Sequence, residues 1–541
     1  MSLNRRTFLK AGAIVAAASA LPRPLMAQFG DAPEPIPPID DPRLKDLTAR
    51  ALDAARAAGA KYTDVRLTHT RTRRFFPLFT FDEESMEVGV RSLVDGYWGF
   101  ASGPVWSPDE MARLGRESVH QAKANALGGT RVVELAPAPV VHSGNWTTPV
   151  QIDPFEISPL ETQDFLASLD IYVQRVPGSS TQQNQAIGET QAKAFGSTNG
   201  SYFTQRSYRM EGVLAIAMRL TKPRKEGGLG LGCLTPSALG WELYSAAKLP
   251  LVREHSIYEE IRRGMEETRE RLMLPVKPVE VGRYDAVLDA RTVATLLDVT
   301  IGRATEIDRS LGYEANAGGT SYLNDPLAML GSFAMGAPTL TVTADRSVPG
   351  ACATVQWDDE GVEPDNFTLV KDGILADFQT TRESASWLAD YYGKTRSRMH
   401  SHGCASAPSA MHAPLQQPPN LTLAPGREPL DFDGLVKGMD KGIAINAAQL
   451  DMDFQAASGL GTGAIFEVKQ GKIVAALESA GFLFRATELW KALHAIGGGV
   501  GSRRYGMSTQ KGEPASTSYH SVTAPPAIVN QLTLVDPLRK A

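Results

Sequence analysis

Two neighbouring segments combine acidic, basic and hydroxyl side chains in a way that could support a catalytic or binding site. LLDVTIGRATEID (296–308) has the spacing of an amphipathic helix, and GGTSYL (318–323) follows as a loop rich in glycine and hydroxyl residues. A carboxylate in such a frame can bind a metal ion or accept a proton. The inner positions, however, are Asp298, Val299 and Arg303. Because an arginine offers no lone pair and a valine no polar atom, this is an unusual set for a metal site.

A second group of metal-binding residue types is HSHGC (400–404), which His412 follows closely. Imidazole and thiolate groups hold zinc or copper where a loop folds back on itself. The alternatives are a Ser- and Pro-rich surface loop with incidental histidines, or a contact to substrate. The candidate ligands here are His400, His402, Cys404 and His412.

Composition sets the limits within which these residues act. The chain has 541 residues, of which 43% are hydrophobic and 21% charged, as in soluble globular proteins. The net charge is −5 and no block of basic residues is present, which argues against nucleic acid as a partner. Cys233, Cys352 and Cys404 are too few and too widely spaced for a disulfide framework, so we expect them to be mainly structural.

The N-terminal segment 1–27 has the features of an export signal. Arg5 and Arg6 precede a short apolar stretch (11–21) and a small-residue end, which resembles a twin-arginine signal peptide. The alternative is a short N-terminal helix. The signal predicts export of the folded chain to the periplasm. No later segment has enough consecutive apolar residues to span a bilayer, so we expect no membrane association after the signal is removed. Residues 28–42 read as a Pro-rich linker.

Apolar periodicity indicates the α+β class, with a mainly antiparallel β C-terminal half. Helical spacing occurs in 41–62, 107–126, 157–176 and 256–274. Strand-like segments are 62–75, 86–103 with a turn at Asp95-Gly96, 186–220, 281–291, 336–345, 353–362, 367–380 and 463–477. We predict an N-terminal α/β domain (43–135), a middle α+β domain (136–275) and a large β-rich C-terminal domain (276–541).

Several motifs, taken in order, resemble the TldD/PmbA (TldD/TldE) family. They are DGYWGFAS (95–102), GETQ with STNG (188–200), WDDEGV (357–362), KDGIL (371–375) and AIFEVKQGKIVAALESAGFLFRATELWKALHAIGGG (464–499). The resemblance covers roughly 45–530, and the hairpin at 89–102 is closer to the TldD half of the family.

The resemblance implies a metallopeptidase that acts on peptides or unfolded chains. In this family TldD pairs with TldE, and only TldD carries metal. Its active helix bears His-Glu-x-x-x-His, and a distant C-terminal Cys completes the metal set. Imidazoles and a thiolate would hold zinc while the Glu takes a proton from bound water. The His-to-His spacing is one residue longer than in H-E-x-x-H, so the backbone there need not be a regular helix.

By position, all of the family's active-site residues are replaced in this chain. Asp298 falls on the first His, Val299 on the Glu, Arg303 on the second His and Ser508 on the Cys. Because an arginine stays protonated and would repel a dication, Arg303 is the most damaging change. The other cleft positions that the resemblance marks are Glu306, Asp308, Thr320 and Ser321.

The sequence therefore predicts a metallopeptidase-like protein without the usual zinc centre. We expect Arg303 to occupy the place of the ion and to pair with Asp298 or Glu306. The chain would be a non-catalytic peptide-binding or partner subunit, as a homodimer or as a heterodimer with a TldD/TldE-type chain, with no cofactor. One alternative is an active zinc metallopeptidase with substitute ligands. Others are a periplasmic binding or maturation factor for a peptide-derived product, and a misplaced frame in which Asp298 and Arg303 are helix-surface residues.

Overall fold

A computed structural model describes residues 41–129, 132–221, 224–245, 247–395 and 399–538. The predicted signal peptide (1–27) and nearly all of the predicted linker lie outside the described residues. Within the described ranges, no helix is long and apolar enough to cross a membrane.

Several helices start at residues whose side chains cap them. Ser107 accepts a hydrogen bond from the backbone N–H of Glu110, and Ser256 and Glu259 form a reciprocal capping box. The helices are α1 (Pro42–Ala57), α2 (Pro108–Ala126), α3 (Pro159–Gln174), α4 (Ile257–Met273), α5 (Ala290–Leu297), α6 (Ile307–Ser310), α7 (Pro326–Met329), α8 (Arg382–Ser386), α9 (Ala389–Thr395), α10 (Phe432–Lys437) and α11 (Ala486–Lys491). A π-helical turn follows α5 at Asp298–Gly302, and 3-10 turns occur at Gly232–Leu234, Trp241–Tyr244 and Gly499–Gly501.

The strands are connected largely as antiparallel hairpins. The first strands are β1 (Tyr62–Phe75), β2 (Thr80–Val94), β3 (Tyr97–Gly103), β4 (Asn145–Thr147), β5 (Ser179–Ser197), β6 (Tyr202–Thr221) and β7 (Arg224–Gly230). The later strands are β8 (Val276–Pro278), β9 (Gly282–Leu288), β10 (Val342–Asp345), β11 (Asn366–Lys371), β12 (Ile374–Leu375), β13 (Ala405–Ser406), β14 (Leu415–Gln416), β15 (Asn420–Leu423), β16 (Lys441–Met452), β17 (Ser458–Lys469), β18 (Lys472–Glu478), β19 (Gly481–Arg485), β20 (Leu493–Ile496), β21 (Arg503–Lys511), β22 (Ser516–Ala524) and β23 (Ala527–Val535).

These strands form large sheets, one of which crosses a predicted domain boundary. The first sheet has the order β3-β2-β1-β5-β6-β4, with β7 beside β6. The second has the order β12-β11-β10-β15-β22-β21, and the third β16-β9-β23-β19-β17-β18-β8, with β20 beside β23. Because β1 pairs with β5, the predicted boundary at 135/136 falls between strands of one sheet. The α+β class and the antiparallel C-terminal half are confirmed.

The largest hydrophobic core lies between the second and third sheets and contains α5. Helix α5 packs between β16 and β22, and its apolar residues Val293, Leu296 and Leu297 are fully buried. Burying each leucine stabilises the fold by about 1.5–3 kcal/mol. The end of α5 is thereby held in the interior of the protein, and the residues that follow it are positioned by that core.

The strand predicted over 353–362 is not formed, and a buried acidic loop takes its place. Asp358 Oδ1 accepts hydrogen bonds from the backbone N–H groups of Glu360 and Val362, both at 2.9 Å, so the side chain replaces a sheet partner. Glu360 also pairs with Arg91 of the first sheet at 3.2 Å. The loop therefore connects the first sheet to the C-terminal region.

Candidate functional site

Helix α5 brings Asp298 into the interior of the C-terminal region. The Asp289 carboxylate caps the helix by accepting from the N–H of Thr292 at 2.8 Å. After Leu297 the chain continues as a π turn, in which the N–H of Arg303 donates to the carbonyl of Asp298 at 2.9 Å. That bond joins residues five apart, so Asp298 and Arg303 lie one π turn from each other. A departure from regular helix, which the resemblance allows, is therefore present here.

The π turn is fixed by contacts to its middle residues. The indole of Trp490 donates to the hydroxyl of Thr300 at 2.8 Å, and the hydroxyl of Tyr322 donates to the Thr300 carbonyl at 2.9 Å. A Cβ at Gly302 would lie only 3.3 Å from Asp298 Oδ1. The backbone therefore has little freedom to move, and Asp298 keeps one position.

Asp298 is paired with a histidine from the far end of the chain. His520 Nε2 lies 2.6 Å from Asp298 Oδ1, and both side chains are buried. Burial alone would raise the pKa of Asp298, but the charges of His520, Arg303 and Arg309 outweigh it and lower that pKa. Val299 beside it is also buried and offers no proton acceptor.

A buried lysine joins the two acidic residues that follow the π turn. Lys511 Nζ lies 2.7 Å from Glu306 and 2.8 Å from Asp308, and donates to the carbonyl of Gln416 at 2.9 Å. Arg309 adds a second cation, with Nε 3.3 Å from Glu306. Burial opposes the charge on Lys511, yet the two carboxylates raise its pKa. Burial raises the pKa of Asp308, whereas Lys511 lowers the pKa of Glu306 against the same effect.

The pairing predicted for Arg303 is corrected by this arrangement. Among the described residues, the ion pairs within 4.0 Å join Asp298 to His520 and Glu306 to Lys511 and Arg309, and none joins either carboxylate to Arg303. Arg303 is half-buried, and its Nε has no hydrogen-bond partner within the described part of the chain. Its charge lowers the pKa of both carboxylates from a longer distance. The cations in contact with Glu306 are therefore Lys511 and Arg309, neither of which the sequence analysis identified.

The Gly-rich loop packs behind the π turn. The hydroxyl of Ser321 donates to the carbonyl of Ala304 at 2.8 Å, and the N–H of Thr320 donates to the carbonyl of Phe454 at 2.8 Å. Gly319 has φ of +91°, and a Cβ there would lie 2.3 Å from the Phe454 carbonyl oxygen. The loop therefore stabilises the backbone that follows the π turn. A ligand contact by Thr320 or Ser321 stays a prediction.

Ser508 lies on the opposite face of its strand from the residues that reach the site. It is exposed and pairs across the ladder with Tyr519, while His520 and Lys511 point to the other face. Residues an odd number apart on a strand face opposite sides. The structure therefore does not bring Ser508 to Asp298.

The histidine loop forms a second polar cluster with partners that sequence reasoning missed. His400 Nε2 lies 3.0 Å from Asp365 Oδ2, and His402 Nδ1 lies 2.8 Å from Asp365 Oδ1. The other nitrogen of His402 lies 3.1 Å from Asp377, and its ring stacks on Phe367. Burial alone would lower the pKa of His402, but Asp365 and Asp377 raise it to about 9.

The other two candidate ligands of that loop point elsewhere. Cys404 is fully buried, and burial raises the pKa of its thiol to about 12. His412 contacts the hydroxyl of Ser409 at 3.2 Å. Of the four predicted ligands the structure brings together His400 and His402, and it adds Asp365, which is 35 residues from His400 in sequence.

A polar cleft of about 320 Å³ opens between the first sheet and the C-terminal region. Its lining carries both signs of charge, and Arg209 stacks on the ring of Tyr519 at 3.8 Å. The lining includes Lys193, Arg209, Arg346 and Tyr519. Because Tyr519 shares a face with Ser508, the cleft lies on the opposite side of β21 and β22 from the Asp298–His520 pair.

The comparisons with known proteins identify this α+β protein as metallopeptidase-like. Residues 281–536 match the family described as the PmbA/TldA metallopeptidase C-terminal domain, and residues 2–22 match the twin-arginine translocation signal. The chain belongs to the TldD/PmbA family. It carries a twin-arginine signal sequence, as predicted.

Relatives of known sequence and structure cover most of the chain. A metalloprotease of Methanocaldococcus jannaschii is 22% identical over 67% of this chain and 71% of its own length. A metalloprotease of Methanothermobacter thermautotrophicus is 23% identical over 81% of this chain and 88% of its own length. TldE from Thermococcus kodakarensis shares the fold with a TM-score of 0.64 at 13% identity, over 91% of this chain and 99% of that one. A Thermotoga maritima protein described as a modulator of a DNA gyrase has a TM-score of 0.66 at 15% sequence identity. That match covers 91% of this chain and 100% of the other.

The residues around the π turn do not fit the zinc ion that the family implies. Zinc needs several converging neutral or anionic donors. Asp298 is already held by His520, and Glu306 is held by the Lys511 ammonium. Arg303 adds a positive charge beside them, and Val299 supplies no donor. A dication placed here would meet cations at the positions where ligands are needed.

Proposed function

We propose that this chain is an exported, non-catalytic member of the TldD/PmbA family that binds extended peptide together with a partner subunit. The observation that carries the proposal is the Lys511 ammonium, buried between Glu306 and Asp308. It neutralises the acidic residues beside the π turn without a metal. The architecture of a metallopeptidase is kept while its metal-binding chemistry is replaced.

The ion pairs explain why the fold tolerates this replacement. Two acidic side chains in the interior would be costly alone, because each desolvated charge costs several kcal/mol. Lys511 and Arg309 supply two positive charges against the two carboxylates of Glu306 and Asp308. The two cations therefore balance these two carboxylates without a metal ion.

Peptide binding is supported by the edge of the second sheet. β21 is an edge strand, and its outward N–H groups at Arg504 and Gly506 are taken by the Leu251 carbonyl and the Thr235 hydroxyl. By alternation, the N–H groups of Ser508 and Gln510 also point outward, and both side chains are exposed. An extended peptide can add to this part of the edge, with main-chain hydrogen bonds giving affinity. The neighbouring cleft offers both signs of charge for peptide side chains.

A partner of the same family is the second part of the proposal. It is supported by the fold shared with TldE from Thermococcus kodakarensis. The partner would be a second copy of this chain or a homologous chain with an intact metal motif, and the twin-arginine signal supports assembly in the periplasm. Light scattering of the purified chain, alone and mixed with such a homologue, separates the two arrangements.

Hydrolysis of an unfolded protein tests the proposal directly. Mature chain (28–541) is incubated with fluorescently labelled unfolded casein and Zn²⁺, and cleavage and binding are followed separately. We expect binding without cleavage. Zinc-dependent cleavage that a chelator stops and that Asp298→Ala abolishes would instead establish the alternative, an active metallopeptidase with substitute ligands.

A further inference from the structure

Two side chains of the histidine loop and one from the segment just before β11 converge at the protein surface. The ligand atoms of Asp365, His400 and His402 all lie within 4.8 Å of one another. Asp365 contacts both imidazoles, one through each oxygen. The side chains of Asp365 and His400 are 40% and 44% exposed, whereas that of His402 is 3% exposed. His402 is therefore buried, whereas Asp365 and His400 are accessible to solvent.

The buried histidine is held as metal-binding histidines are held. Its ring lies flat on Phe367, with centroids 3.9 Å apart and planes 9° apart. Its Nε2 faces Asp377 at 3.1 Å, and its backbone N–H donates to the Thr380 hydroxyl at 3.1 Å. Histidine ligands usually donate their second N–H to such a carboxylate, which fixes the ring and its tautomer. Nδ1 of His402 is left facing Asp365 and His400.

We propose that Asp365, His400 and His402 form a binding site for a divalent transition-metal ion, with Asp377 as the positioning residue behind His402. Imidazole nitrogens favour zinc, copper, nickel or iron, whereas magnesium and calcium require mostly oxygen ligands. Zinc is the ion we choose as the probe. Cys404 is no part of the site, because it is fully buried and outside the group of converging atoms.

This site is separate from the family's zinc position and from the proposed peptide-binding function. The two regions are connected through one segment, since Gln379, two residues after Asp377, donates to the carbonyl of Gly302 at 2.6 Å. A metal at Asp365 would brace the segment that supports the π turn. It needs no catalytic role, and it would be present whether or not the chain cleaves peptides.

Isothermal titration of mature chain with Zn²⁺ at pH 8 tests the proposal, with Mg²⁺ as a second titrant. We expect one zinc per chain, no magnesium binding, and a rise in melting temperature with zinc. His400→Ala, which removes an exposed ligand, should weaken zinc binding at least tenfold and abolish the melting shift. His120→Ala, which removes an exposed histidine of α2, should bind zinc like the unaltered chain.

A second variant tests the positioning role of Asp377. Asp377→Asn keeps all three ligands and should weaken zinc binding by about 10–100-fold, the usual effect of losing such a partner. The proposal is overturned if the unaltered chain binds no zinc, or if His400→Ala and Asp365→Asn retain full affinity while folded. Circular dichroism of each variant establishes that it is folded.

Discussion

Lys511 Nζ lies 2.7 Å from Glu306 Oε2, and both side chains are wholly buried. The two residues are 205 positions apart, so the contact joins the last antiparallel hairpin of the second sheet to the turn after α5. The other strand of that hairpin carries His520, which holds Asp298 at 2.6 Å. The C-terminal hairpin thus supplies positively charged or proton-donating groups to each acidic residue beside the π turn.

Removing the lysine should destabilise the protein strongly. Lys511→Met keeps the length of the side chain but leaves Glu306 and Asp308 without their shared cation. We expect a loss of about 3–5 kcal/mol in the free energy of unfolding, because breaking a buried pair leaves an uncompensated charge. Urea unfolding followed by circular dichroism measures it. Lys469→Met, which breaks an exposed pair with Glu467, is the matched control and should unfold like the unaltered chain. An equally small effect of Lys511→Met would contradict the account.

The Asp298–His520 pair should make stability sensitive to acid. The folded-state pKa of Asp298 is lowered below its ordinary value of 3.8, with His520, Arg303 and Arg309 as the charges around it. Its contribution is therefore fully present above about pH 4 and is lost as the pH falls through the folded pKa. Asp298→Asn should lack this part of the acid-induced loss. Unfolding free energies of both chains between pH 7 and pH 3 measure the difference, and parallel profiles would show that the carboxylate is not stabilised by its neighbours.

Blocking the outer edge of β21 should reduce peptide binding without unfolding the sheet. Ser508→Pro removes an outward N–H, while the ladder to β22 uses its neighbours. Fluorescence anisotropy with a labelled unfolded peptide should show at least tenfold weaker binding. Ser508→Ala keeps the N–H and is expected to bind normally. If both variants bind equally, the peptide lies elsewhere and the cleft lined by Arg209 and Arg346 becomes the next region to test.

The twin-arginine signal should control export. Replacing Arg5 and Arg6 by Lys keeps the charge of the segment and removes the paired guanidinium groups that mark this route. Cell fractionation should find the variant as uncleaved precursor in the cytoplasm. Normal export of the variant would indicate the general secretory route.

Local signals in the sequence predicted the elements that local chemistry determines. The hairpin at Asp95-Gly96 forms as expected, with φ of +51° and +85° at the two turn residues. Ser107 and Ser256 cap the helices that follow them. The acidic loop at Asp358 was misjudged as a strand, because its carboxylate accepts the backbone hydrogen bonds that a neighbouring strand would otherwise take.

The partners within the site could not be predicted, because they come from distant parts of the chain. His520 is 222 residues from Asp298, and Asp365, which lies just before β11, is 35 residues from His400. The orientation of Lys511, by contrast, could have been predicted from the sequence. Lys511 lies three residues after Ser508, and strand alternation places it on the opposite face from that serine. A one-residue change of register on β21 would therefore decide whether Lys511 faces Glu306 and Asp308.

Anomalous X-ray diffraction at the zinc edge, from crystals of the mature chain grown with Zn²⁺, tests the central claim most directly. We expect no zinc within about 2.0–2.2 Å of an Asp298 or Glu306 oxygen, the distance of a zinc–carboxylate bond. Lys511 should contact Glu306 and Asp308 in the same crystals. A zinc peak bonded to Asp298 or Glu306, with Lys511 displaced, would contradict the account and restore a metal centre to this chain.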